Sequence, residues 1–204
     1  WQWAGGELDP TRTYFPQVPG EGDAMVMVVG NTPGQSNRTT YLMYLSAIRN
    51  ARYSIHLTVA YFAPGRAIVS ALANAARRGV DVRMVVPLVT DSPVALHAGE
   101  YYYSRLLKAG VKLYRRRGGV LHAKTAVIDG VWSTVGSTNL DLRSFWYNDE
   151  VNAIILDRDF ALSMEKLFDK DMEESNPLSK EEWKARSTSN RIKEWGAHLV
   201  GPLL

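Results

Sequence analysis

The chain of 204 residues contains no cysteine, which excludes disulfides and thiolate metal sites while leaving the redox compartment open. No apolar run approaches the roughly 20 residues needed to span a bilayer. Charge of one sign is also scarce: the net charge of +3 gives a weak whole-molecule field. The two short basic clusters, Arg77-Arg78 and Arg115-Arg116-Arg117, read first as solvated faces. There is no internal repeat and no low-complexity tract. What remains is an ordinary globular composition, 46% hydrophobic and 22% charged, in a chain long enough to bury a real core.

Local patterning gives the class. Residues 1–24 are rich in Gly and Pro with scattered aromatics, an irregular connecting segment rather than a unit. Residues 25–204 alternate strand and helix signals. Strands are expected at Met25–Val29, Tyr53–Phe62, Val80–Val86, Val111–Tyr114, Val120–Ile128, Val131–Gly136 and Val151–Leu156. Helices are expected over Ser36–Asn50, Ala67–Arg78, Pro93–Ala109 and Asp159–Glu174, with Gly79 and Gly110 as stops. Asp129-Gly130 is a two-residue hairpin signal, and Ser179-Lys-Glu-Glu182 resembles a capping box. The expectation is an α/β sandwich: a mixed β-sheet flanked by helices on both faces.

The chemistry concentrates in His122-Ala-Lys124, then Asp129, then Gly136-Ser137-Thr138-Asn139, and later Glu150. On a strand, His122 and Lys124 project to one side, an awkward pair unless an anion sits between them. A lysine holding a phosphate oxygen while an imidazole attacks phosphorus satisfies both. Ser137 and Asn139 offer donors to phosphate, and Glu150 could accept the second ring N–H of His122 and fix its tautomer. Taken singly, each signal is ordinary: a lone histidine is usually a packing residue, and Asp129 is a good hairpin residue. His56, His97 and His198 carry no such surroundings and read as packing or surface histidines.

The ordered pattern H-x-K-x4-D-x6-G-S-x-N resembles the signature of the phospholipase D superfamily. The similarity extends to Asn139-Leu-Asp141-Leu-Arg143-Ser144, Asn148-Asp-Glu150-Val-Asn152, Tyr61-Phe62-Ala-Pro64, Ala75-Ala-Arg-Arg-Gly79-Val-Asp81-Val-Arg83, Leu106-Leu-Lys-Ala-Gly110-Val and Pro202-Leu203-Leu204. These look like the C-terminal half of bacterial cardiolipin synthases. The resemblance implies that His122 is nucleophile or general acid, that Lys124 and Asn139 bind phosphate, and that Glu150 orients His122. Asp129 matches the catalytic signature, although structural support suits it better. No metal or other cofactor is implied, since lysines and asparagines supply the charge stabilisation.

Only one copy of the motif is present, whereas the family sets two across one site. Trp1–Pro16 resembles the segment closing the first half, so the expectation is an N-terminal lobe with a second motif. A second copy of this chain, paired about a twofold axis, would be the other way to complete the site. The implied substrate is a phospholipid and the implied location of the full-length protein is the inner membrane surface. Two rivals stay open: hydrolysis by a phospholipase D or nuclease, possibly as a homodimer, and a non-catalytic lobe binding anionic phosphate. Nucleic acid would call for a longer basic groove than two clusters provide. Trp146, Tyr147, Trp183 and Trp195 suit a lipid boundary but are individually ordinary packing residues. From Ser187 onward, Ile192, Trp195, Leu199 and Val200 fall at helical spacing with Arg191 and Lys193 between them. Docking of that stripe onto the domain's own core is the expected arrangement, lying on a membrane the alternative.

Overall fold

The computed structural model describes residues 9–200 apart from 15, 18, 21 and 35–37. In chain order its elements are β1 (Met25–Asn31), α1 (Thr39–Asn50), β2 (Ser54–Val59), β3 (Phe62–Ala63), α2 (Gly65–Arg77), β4 (Asp81–Pro87), α3 (Pro93–Ala109) and β5 (Lys112–Arg116). There follow β6 (Lys124–Ile128), β7 (Trp132–Gly136), β8 (Leu140–Asp141), α4 (Leu142–Trp146), β9 (Glu150–Leu156), α5 (Arg158–Glu173), β10 (Ser175–Leu178), α6 (Lys180–Lys184) and α7 (Thr188–Val200). Eight strands form one mixed sheet in the order β1-β9-β7-β6-β2-β4-β5-β10, with β2, β4 and β5 parallel.

Alternation along the strands divides the sheet's two faces. Ile55 and Leu57 of β2, Val82 and Met84 of β4, and Ala126 and Ile128 of β6 join α1, α2 and α3 in the main core. Full burial of a Leu, Ile or Met side chain stabilises by about 1.5–3 kcal/mol, so this face carries most of the fold. The opposite face is covered by α5, where Phe168 stacks flat on His56 at 4.8 Å. That ring finds no hydrogen bond, and burial lowers its pKa. His97 pairs with Glu100 at 2.7 Å and His198 stacks on Tyr101 at 3.8 Å, so all three histidines are packing residues as expected.

Capping fixes the helix starts. Asp157 accepts the Phe160 N–H at 2.6 Å to open α5, Ser92 accepts the Ala95 N–H at 3.4 Å ahead of Pro93 in α3, and Ser179 accepts the Glu182 N–H at 3.0 Å in α6. Gly110 takes φ +100° past the end of α3, the left-handed stop its position predicts.

Several boundaries differ from the sequence reading. Helix α1 starts at Thr39 rather than at Ser36, and residues 35–37 lie outside the described set. The strand expected over Tyr53–Phe62 breaks after Val59, and Phe62–Ala63 instead pairs in parallel with β8 as a separate two-stranded sheet. The strand expected from Val120 begins only at Lys124, because its partner β2 ends at Val59, opposite Lys124. His122 therefore precedes the ladder instead of sitting in it. The basic clusters are consumed internally. Arg115 pairs with Glu182, Arg116 with Glu174 and Asp171, and Arg78 donates to the Arg49 and Ala51 carbonyls.

Candidate active site

The motif residues reach one edge of the sheet because β9, β7 and β6 are consecutive neighbours. β6 starts there with Lys124, β7 ends there with Gly136, and β9 starts there with Glu150. The same edge holds the carboxyl ends of the parallel strands β2 and β4, a position where open α/β sheets present their clefts. A cleft of about 270 Å³ opens at this edge, lined by Tyr61, Ala63, Ser92, Ala95, Asn139, Asp141, Arg143 and Asn148.

Close packing of β7 on β9 explains the glycine. A Cβ on Gly136 would sit 2.4 Å from the Val151 carbonyl oxygen and 2.5 Å from Asn152 Cγ. With no side chain in the way, the Ser137 N–H donates to the Val151 carbonyl at 2.9 Å. The Ser137 hydroxyl donates to Glu150 Oε2, while Asn148 Nδ2 donates to Glu150 Oε1 at 3.1 Å. Beneath them, Asn152 is fully buried, bonded to the Thr138 and Thr134 hydroxyls and to Tyr44.

Lys124 is buried, 8% exposed, and its ammonium donates to the His122 carbonyl at 2.8 Å. Burial lowers its pKa, and the carboxylates of Glu150, Asp141 and Asp91 oppose that shift. His122 itself is exposed, and no hydrogen bond to its ring occurs among the described residues. Asn139 turns a buried Oδ1 with no protein partner into this region, the kind of unsatisfied group that a ligand donor would satisfy.

Two expectations need correction. Glu150 does not hydrogen-bond the His122 ring; its two oxygens are taken by Ser137 and Asn148, because β9 pairs with β7 and not with the segment before β6. Ser137, expected to donate to phosphate, spends its hydroxyl proton on that carboxylate. Asp129 lies at the far end of β6, five residues from Lys124 and roughly 16 Å away at about 3.3 Å per residue. Its carboxylate accepts the backbone N–H groups of Arg52, Tyr53 and Ser54 at 2.9, 2.7 and 3.0 Å.

Other residues join the site without a role assigned from sequence. Asp141 caps α4 through the Ser144 N–H at 2.6 Å, and its burial, reinforced by nearby Glu150, pushes its pKa up to about 6. Tyr61 donates to Asp91, which raises the phenol's pKa and lowers the carboxyl's; a positive charge on His122 adds to the latter. Asp141, Tyr61 and Asn148 stand in the segments that resemble the family, so a signal existed for them. Asp91 reads only as part of a Thr-Asp-Ser-Pro helix start. Among the described residues there is no group of three or more His, Cys, Asp or Glu arranged to hold a metal.

Comparison with known proteins accords with this geometry. Residues 44–172 match the family described as "Cardiolipin synthase, PLD-like domain". Cardiolipin synthase 1 of Staphylococcus epidermidis is 36% identical over 194 residues, covering 95% of this chain but 40% of the relative. The chain thus spans about two-fifths of that protein's length. Among solved structures, the phospholipase D family member Nuc from Salmonella typhimurium aligns with TM-score 0.65 at 23% identity, over 77% of this chain and 99% of its own. Phosphatidylserine synthase from Haemophilus influenzae Rd KW20 aligns with TM-score 0.72 at 14% identity, over 89% of this chain and 48% of its own. These likenesses bear on the fold, which is that of the phospholipase D group. By the match over more than half its length, the chain belongs to the cardiolipin synthase, PLD-like domain family.

Proposed function

We propose that this chain is the C-terminal lobe of a phosphatidyltransferase of the cardiolipin synthase type. In this reading residues 1–24 form the inter-lobe segment and residues 25–204 the lobe. Two phosphatidylglycerols give cardiolipin and glycerol in two displacements. His122 attacks the phosphorus of the first, forming a phosphatidyl-histidine, and glycerol leaves with a proton from the second motif's histidine on the other lobe. The primary hydroxyl of a second phosphatidylglycerol then attacks phosphorus, returns its proton to that histidine and frees His122. The Lys124 ammonium and the side-chain amide N–H of Asn139 hold the non-bridging oxygens, whose charge they stabilise as it builds. Glu150 acts from behind Ser137 as a positioning residue.

The observation that carries this reading is the meeting of Lys124, Asn139 and Glu150 at one sheet edge beside His122. The S. epidermidis relative's name supports the lipid substrate, and a lipid substrate would bring the full-length protein to a membrane surface. A partner lobe is supported by the uncovered outer face of β1, β9 and β7. There Val26, Val28, Val135 and Val151 are all exposed on one side, next to Glu150 and Gly136. An apolar sheet face contiguous with a half-site is what a second lobe would cover.

The test supplies full-length enzyme with labelled phosphatidylglycerol, phosphatidylcholine and single-stranded DNA in parallel. The expected result is labelled cardiolipin and free glycerol from phosphatidylglycerol alone. Phosphatidic acid as the main product would make it a hydrolase, and cleavage of DNA a nuclease.

A further inference from the structure

Helix α7 docks on α3 through an unexpected side. The apolar residues at helical spacing, Ile192, Trp195 and Leu199, are 64%, 59% and 59% exposed, whereas Glu194 is 2% exposed. Inward contacts come from Ala197, buried against Ala98 and Ala63, and from His198, stacked on Tyr101. Glu194 is neutralised by a two-pronged pair with Arg186, at 2.5 and 2.8 Å. The expectation that the apolar stripe would dock onto the domain's own core is therefore overturned. Small and polar side chains make that contact, and the large apolar ones face out.

At about 100° per residue, Ile192, Trp195 and Leu199 fall within an arc of about 60°. Arg191, which also donates to the Lys184 carbonyl at 2.7 Å, lies about 40° beyond one side of the arc and Lys193 about 100° beyond the other, and both are exposed. The only acid of the helix is Glu194, turned inward and paired, so the outward half is apolar with cationic margins. An aromatic with a polar N–H at the side of the stripe, and long basic stems beyond it, suit a water–lipid boundary, where the stems lie along the surface and the charges reach headgroup phosphates. A protein partner fits less well. A stable interface buries roughly 800 Å² on each side, beyond what three side chains offer, while an interfacial helix needs little more than such a stripe and an anionic surface.

We infer that α7 is a membrane-docking helix that seats the outward face of Ile192, Trp195 and Leu199 in the surface of an anionic bilayer, with Arg191 and Lys193 on its headgroups. Its position gives it a purpose under the lipid-substrate reading, on which that purpose rests. Ala63, packed under Ala197, also lines the cleft at the sheet edge, so α7 lies beside the cleft and its docking holds the cleft near the bilayer.

The test uses this 204-residue chain and vesicles of phosphatidylcholine with or without phosphatidylglycerol. The chain is expected to sediment with the anionic vesicles and to be released by salt. I192S/W195S/L199S is expected to lower the partition coefficient about tenfold or more with its melting temperature unchanged, and R191Q/K193Q severalfold. As a check that needs no multiple variant, the fluorescence lost in W195F is expected to be the portion quenched by brominated lipid. Failure of the chain to bind, equal binding by the triple variant, or quenching unaltered in W195F would overturn the inference. So would a chain that ignores vesicles yet self-associates until the stripe is removed, since that makes the face a protein interface. None of these readouts involves turnover, so their failure is separable from failure of the transferase reading, which the labelled-lipid assay reports.

Discussion

His122 stands exposed before the ladder begins, while Lys124, two residues on, is buried in the first position of β6. The difference suits their proposed tasks: a nucleophile must reach incoming phosphorus, and a charge stabiliser acts most strongly where water is scarce. Lys124→Met in the full-length enzyme is predicted to lower kcat by about 10²–10³-fold, read from initial rates of cardiolipin formation. Asp141 offers a prediction about pH. Its folded pKa of about 6 lies above the ordinary 3.8, so the folded state holds this proton more tightly than the unfolded chain does. Its stabilising contribution is complete below about pH 4 and is lost as the pH rises through 6. Asp141→Asn, which keeps an oxygen for the Ser144 N–H, is predicted to flatten that part of the stability profile. Denaturant melts of the two proteins at pH 4, 5, 6 and 7 would check it, and parallel profiles would contradict it.

Among elements, the β6–β7 hairpin carries two residues whose roles separate under substitution. Asp129 takes φ +54° and holds three backbone N–H groups at the start of β2, far from the cleft. Asp129→Ala removes the acceptor and strains the turn; a loss of about 2 kcal/mol, or roughly 4–8 °C in Tm, is predicted, with trapping at His122 unchanged per folded molecule. Gly136→Ala must push β7 from β9 and is predicted to destabilise by about 1–3 kcal/mol, read from a thermal melt. Much of this level was legible in the sequence. Period-two and period-3.6 patterns placed the longer strands and helices, because half-buried elements must alternate by burial, whereas β8, α4 and β10 are too short to show a period. What escaped was pairing over distance: that β2 runs out at Val59 and so leaves His122 unladdered, and that Ser137 and Asn148 claim Glu150. The outward turn of α7 escaped for a related reason, since periodicity finds an apolar stripe but not which way it faces.

At the scale of the whole molecule, the proposed half-site lies beside an apolar sheet face. Alone, the chain is predicted to show no transferase activity above background in a labelled-lipid assay. Val28→Glu with Val151→Glu, on that exposed face, is predicted to abolish turnover in the full-length enzyme while leaving the isolated chain's melting temperature within about 2–4 °C, since each surface change seldom exceeds ±0.5 kcal/mol. The proposed reaction turns on one covalent bond. Full-length enzyme mixed with labelled phosphatidylglycerol, quenched in base within a turnover and digested, is predicted to yield an acid-labile phosphatidyl adduct on the peptide carrying His122, absent from His122→Asn. A protein that turns over normally with no adduct at that peptide, or one whose adduct persists in His122→Asn, would contradict it.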